Sequence, residues 1–143
     1  MDLQLNGKTA LVTGGSIGIG EAVARGLANE GVRVAICARN RERCEAAAET
    51  LSEDTGSEVI GLTGDVSKSE DVSRIAQQAG ESLDGVDILI NNAGTGSEET
   101  IMEAPDEKWQ YYWDLHVMAA IRFARAVVPG MREKGAGVII NNA

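Results

Sequence analysis

Residues 13–20, Thr13-Gly14-Gly15-Ser16-Ile17-Gly18-Ile19-Gly20, are the makings of a phosphate cradle. A pyrophosphate needs close backbone approach, free N–H groups and the positive end of a helix dipole. Gly14 permits a tight turn off an apolar strand, and Gly18 and Gly20 let the first helical turn come near the phosphates and the sheet. The spacing is Gly-x-x-x-Gly-x-Gly, not the commoner Gly-x-Gly-x-x-Gly. A second segment, Asn91-Asn92-Ala93-Gly94, follows another apolar run. An asparagine at a strand end can bridge the backbones of neighbouring strands, and Ala93 and Gly94 beside it take up little room.

Between these two segments lie the residues that would choose a nucleotide. A site for NAD usually places a carboxylate on the ribose 2′-hydroxyl about 20 residues beyond the glycine loop. Here the second strand ends Ile36-Cys37-Ala38-Arg39-Asn40, with no carboxylate at its tip. A guanidinium suits a 2′-phosphate in geometry and charge. Arg39, with Asn40 beside it, therefore points to NADP, with NAD as the alternative. Arg41 and Arg43 complete a basic cluster in a chain of net charge −9, which suggests a specific small anion, although both are expected on the surface of the next helix. Asp65-Val66 follows the third strand, where Asp65 can start the turn into a helix that Ser67 or Ser69 would cap. His116, the only histidine, lies within a long helix, where it either packs or handles a proton near neutral pH.

Those residues need elements to hold them. Apolar runs at 8–13, 32–38, 58–62, 86–91 and 137–141 read as strands. Helical patterns cover 18–30, 41–53, 68–83 and 106 to about 133, the last with Pro105 before it and Asp106 as its cap. The strands are continuously apolar rather than alternating, so both faces of the sheet are covered. The fold class is therefore α/β, a doubly wound parallel sheet with helices on both faces and strand order 3-2-1-4-5, ending at strand five within these residues. The crevice lies between strands one and four, and both glycine segments emerge at their C-terminal ends. Trp109, Trp113, Val117, Ile121 and Ala124 form an apolar stripe on the fourth helix, read as core or as an oligomer interface.

The 143 residues make one domain, 1–143, large enough to bury a core. A net charge of −9 argues against nucleic acid and anionic membranes as partners. The N-terminus lacks the basic and apolar regions of a signal peptide, and no apolar run reaches the roughly 18 residues of a membrane span, so a cytoplasmic location is expected. Cys37 and Cys44 show no metal-ligand spacing, and no metal is expected.

The pattern Thr-Gly-x-x-x-Gly-x-Gly, paired with Asn-Asn-Ala-Gly at this separation, resembles the short-chain dehydrogenase/reductase family. The resemblance implies a Rossmann-like fold and hydride transfer between a nicotinamide dinucleotide and a small carbonyl or alcohol substrate. It places Gly14, Ser16, Ile17, Gly18, Ile19 and Gly20 at the cofactor, Ser16 on the adenosine ribose or its phosphate. It places Asp65 and Val66 at the adenine, and Asn92, Ala93 and Gly94 at the nicotinamide ribose. Ala38 stands where NAD-type relatives often carry Asp. Ile17 stands where many NADP-preferring relatives carry Arg or Lys, a departure that counts against NADP. His116 replaces the asparagine that helps relatives hold a proton-relay water. The family also uses a serine at the end of strand five and a Tyr-x-x-x-Lys pair, and none of these occurs in residues 1–143. The expected identity is thus the cofactor-binding N-terminal part of an NADP-dependent oxidoreductase, inactive by itself, forming a homo-oligomer through helix four. The alternative is a dinucleotide-binding module without catalysis.

Overall fold

The computed structural model describes residues 1–143. Five strands, β1 (Thr9–Thr13), β2 (Arg33–Ala38), β3 (Val59–Thr63), β4 (Ile88–Asn91) and β5 (Val138–Asn141), form one parallel sheet in the order β3-β2-β1-β4-β5. The helices are α1 (Gly18–Asn29), α2 (Arg41–Thr55), α3 (Ser69–Leu83), α4 (Asp106–Trp113) and α5 (Ala119–Lys134). The expected class and strand order are what the structure has. The element bounds move by a residue or two.

Successive residues of a strand point to opposite faces. In β1, Ala10 and Val12 enter a core closed by α1 and α2, with Ala24, Ile36 and Leu51. Leu11 enters the other core, closed by α3 and α5, with Ile75, Leu89 and Phe123. Both faces are buried, which is why the middle of the strand, Ala10-Leu11-Val12, is apolar without alternation. In register, Ala10 pairs with Val34 on one side and Ile88 on the other, so β1 is the centre of the sheet. The chain reverses direction across the sheet between β1 and β4, and the C-terminal ends of these strands open a crevice there.

The long helix expected from 106 to about 133 is not continuous. A π-helical turn, Asp114–Met118, separates α4 from α5. One extra residue per turn rotates everything beyond it. The buried row is Leu115, Ala119, Phe123, Val127 and Met131 at intervals of four, against α3. The expected stripe lies off that row: Trp109 is 50 % and Trp113 55 % exposed, and Ile121 is exposed too. Nor does Asp106 cap α4. Pro105 takes the cap position without a side-chain bond, and Asp106 joins Glu107 in the first turn, where the helix dipole favours both. Likewise Lys68 precedes α3, and neither Ser67 nor Ser69 caps it. Ser67 instead donates its hydroxyl to Asp65 at 2.7 Å. Asn40 does cap α2, its Oδ1 accepting the Arg43 N–H at 2.9 Å. No helix is long and apolar enough to cross a membrane.

Candidate functional site

The two glycine segments meet through one hydroxyl. Thr13 is buried, and its Oγ1 accepts the N–H groups of Asn92 and Ala93, each at 2.9 Å. Asn92 returns its side-chain amide to the carbonyls of Thr13 (3.2 Å) and Gly14 (3.4 Å). Asn142 in turn donates to Asn92 Oδ1 at 2.8 Å, and Asn91 to Asn141 Oδ1 at 2.8 Å, so an asparagine ladder runs across the ends of β4 and β5. An asparagine bridge between neighbouring strands is what the sequence led one to expect. The role of Thr13 is not, although it opens the glycine motif.

The glycines are needed for distance as well as for turn shape. Gly14 has φ +64°, and a Cβ there would sit 3.0 Å from the Ala93 Cα. A Cβ on Gly20 would run into the Gly14 carbonyl oxygen and come within 2.6 Å of Asn92 Nδ2. The first turn of α1 is thereby pressed onto the end of β1, and the N–H groups of a helix's first turn have no intrahelical partners.

A cleft of about 300 Å³ opens along this edge. The β1–α1 loop gives it Gly14, Ser16 and Ile17, the end of β2 gives Arg39 and Asn40, the end of β3 gives Asp65 and Val66, and the end of β4 gives Asn92, Ala93 and Gly94. Ser16 is buried in it. Gly18, Ile19 and Gly20 do not line it: Gly20 lies behind Gly14, and Ile19 is 66 % exposed. The cleft also takes in Cys37, Ala38, Arg43, Gly64, Thr95, Tyr111 and Leu115. Arg43 was expected on the outer surface of α2, yet from the first turn it reaches the cleft wall. Of the loop 95–105, Thr95 alone lines the cleft. Tyr111 and Leu115 are brought there by the packing of α4 and the π turn, which no local pattern records.

Charges around the cleft are arranged from several elements. Asp65 Oδ1 accepts the Ser67 N–H (3.0 Å) as well as its hydroxyl, which closes the turn after β3. Asp71 Oδ2 accepts the Asp65 N–H at 2.7 Å and Asp71 Oδ1 meets Arg74 at 3.2 Å. The Asp65 N–H first, then Arg74, holds the Asp71 carboxyl below the usual carboxylate range. Burial pushes the Cys37 thiol up to about 12, so it lines the cleft as an inert apolar group rather than a thiolate. Arg39, Arg41 and Arg43 take part in none of the molecule's ion pairs.

His116 does not line the main cleft. It stands on the π turn and borders a separate cavity of about 80 Å³, with Thr13, Asn91, Ala93, Asn141 and Asn142. Its Nε2 lies 2.9 Å from the Thr95 carbonyl oxygen, a distance at which the ring donates if Nε2 carries the proton. Its ring also lies against Gly94, where a Cβ would come within 2.6 Å of Cε1. His116 therefore fixes the chain just after β4.

The family model described as short chain dehydrogenase matches residues 8–143. The chain is 36% identical over 143 residues to the uncharacterized oxidoreductase YvrD of Bacillus subtilis, covering 100% of this chain and 53% of that protein. It is 37% identical over 134 residues to the 3-oxoacyl-(acyl-carrier-protein) reductase FabG of Chlamydia trachomatis, covering 94% and 54%. Among solved structures, L-sorbose reductase from Gluconobacter frateurii, complexed with NADPH and L-sorbose, superposes with a TM-score of 0.94 at 51% identity, over 97% of this chain and 53% of that one. A metagenomic short-chain oxidoreductase in complex with NADP superposes with a TM-score of 0.88 at 31% identity, over 94% and 60%. The chain thus spans about half the length of the relatives it matches. The loops sewn together by Thr13 and Asn92 lie inside the matched region, and the chain belongs to the short-chain dehydrogenase family.

Proposed function

We propose that the cleft holds NADP(H), and that the protein serves hydride transfer between this cofactor and a small carbonyl or alcohol. The observation that carries the reading is convergence: loops from β1, β2, β3 and β4, each with a residue type suited to one part of a dinucleotide, line one cleft at the switch point of the sheet. The residues present fit the cofactor. The first turn of α1 offers N–H groups and a positive dipole end to the pyrophosphate. The groove between Ala38 and Val66 offers apolar walls to the adenine, with Asp65 at its rim. Arg39 offers a guanidinium to a 2′-phosphate, and the relatives held with NADPH and NADP support that choice. Ala93 and Gly94 leave space for the nicotinamide end.

When bound, the nicotinamide gives or accepts the hydride; the protein orients the partners and manages a proton. In residues 1–143 we assign the second task to His116, which acts from the separate cavity beside the cleft rather than from the cleft wall. It holds Thr95 at the nicotinamide end, and it stands on a π turn, a distortion frequent at functional sites. His116→Asn is expected to retain more activity than His116→Ala in the whole enzyme, with little change in NADPH affinity. Equal activity of both variants and the native protein would refute the assignment. Residues 1–143 by themselves are expected to bind without turnover. Exposed Trp109 and Trp113 support a homo-oligomer contact on α4, which sedimentation of Trp113→Arg would weaken.

The deciding experiment is titration with NADPH and NADH, followed by nicotinamide fluorescence. Tighter binding of NADPH is expected, and binding of neither overturns the reading. A ketose–polyol pair is the first substrate to try, because the 51% identical relative was captured with L-sorbose.

A further inference from the structure

The asparagine ladder reaches the glycine loop through one side-chain bond, from Asn142 Nδ2 to Asn92 Oδ1 at 2.8 Å. We propose that Asn142, just past the end of β5, is a positioning residue for the cofactor: it fixes which way round the Asn92 amide stands, and through that amide it holds the floor of the glycine loop. The inference deepens the function proposed above and rests on it.

An asparagine side chain has one accepting end and one donating end, and turning it over exchanges them. The carbonyls of Thr13 and Gly14 only accept, so the end of Asn92 that faces them is the NH2, at 3.2 and 3.4 Å. The Asn92 oxygen then faces β5 and needs a donor, which Asn142 supplies. Asn142 is itself held in place. Its backbone N–H donates to the Asn91 carbonyl at 2.9 Å, which carries the pairing of β4 and β5 one residue past Asn141. The Asn92 amide lies where the loop is tightest: a Cβ on Gly14 would stand 3.2 Å from Asn92 Nδ2, and a Cβ on Gly20 2.6 Å from it. Turned over, the amide would set its oxygen against two carbonyl oxygens at that point, and the loop would have to give way. In the neighbouring pair the roles are opposite. Asn91 donates and Asn141 accepts, at 2.8 Å, and that bond does not touch the glycine loop.

These opposite roles allow a matched test. In Asn142→Asp the donor is lost, and the carboxylate so introduced draws the Asn92 NH2 away from Thr13 and Gly14. In Asn141→Asp the same charge is added one residue away, and the bond from Asn91 is kept. Asn142→Asp is expected to bind NADPH and NADH each roughly tenfold more weakly than Asn141→Asp does, as loss of one hydrogen bond to the loop would give. The ratio between the two cofactors should not change, because the pyrophosphate is common to both. Nicotinamide fluorescence reads the affinities. Heteronuclear NMR reads the side-chain amide of Asn92, whose signals should move in Asn142→Asp and stay in place in Asn141→Asp. Equal affinities in the two variants would assign any loss to charge alone and would overturn the inference. So would an Asn92 amide that is unmoved in Asn142→Asp. A native protein that binds neither cofactor would instead overturn the function proposed above.

Discussion

At the scale of residues, the site depends on a few polar atoms whose partners are far apart in sequence. Thr13 and Asn92 are 79 positions apart, and one hydroxyl serves two N–H groups. Replacing it by the near-isosteric Thr13→Val leaves both N–H groups partly buried and unpaired. The expected loss is about 1–3 kcal/mol of stability, read by denaturant unfolding, with weakened NADPH binding. A variant as stable as the native protein would show that the hydroxyl is dispensable. Arg39→Asp should weaken NADP at least about tenfold more than NAD, since it removes a phosphate donor and introduces a repelling charge; equal effects on both would refute the phosphate assignment. Most of these residues were legible in the sequence, because glycine spacing, a strand-end arginine and an Asn-Ala-Gly segment are local signals. The part of Asp71 in holding the turn after β3 was not, because it depends on how α3 packs beside that turn.

At the scale of elements, the glycine loop and the broken helix carry the sharpest expectations. Gly20→Ala should be severely destabilising and should abolish dinucleotide binding, since the added carbon meets backbone rather than a flexible side-chain end. Retained binding in a titration would show that the loop can move aside. On α5, Phe123 is fully buried while Trp113, near the end of α4, is over half exposed. Phe123→Ala should cost about 3–5 kcal/mol and Trp113→Ala within about 0.5 kcal/mol in the monomer. The reverse order would mean that the helix faces are assigned wrongly. The sequence pattern of this region favoured the tryptophan row because large apolar residues dominate any periodicity. The π turn places a row of smaller residues against α3 instead.

At the scale of the whole molecule, the end of the sheet opposite the cleft is held by Asp87. It accepts the Thr9 N–H at 3.0 Å and pairs with Lys134 at 3.0 Å, joining β1, β4 and α5. Burial resists its ionisation, but Lys134 and Thr9 together outweigh burial and hold its carboxyl below the usual range. A carboxylate with a depressed folded-state pKa contributes stability that is present above its ordinary, unfolded pKa. That contribution fades as pH falls from about 4 through the lower folded-state value. Asp87→Asn should therefore be less stable than the native protein at neutral pH, with the gap closing below about pH 4 in thermal melts. A gap independent of pH would remove the ion pair from the account.

By itself the sequence determined a parallel sheet covered on both faces, its strand order, the glycine cradle and the arginine at the tip of β2. Each follows from residue type and short spacing: continuous apolar runs, glycines at Gly-x-x-x-Gly-x-Gly spacing, a guanidinium where a carboxylate would favour a hydroxyl. Only the tertiary structure decided that Thr13 joins the two motifs, that Gly20 lies behind the cleft rather than in it, that Arg43 and Tyr111 reach its wall, and that α4 and α5 are separated by a π turn. Those facts turn on which faces of distant elements meet. That is set by packing across the sheet, where one residue's shift in a helix exchanges a buried row for an exposed one.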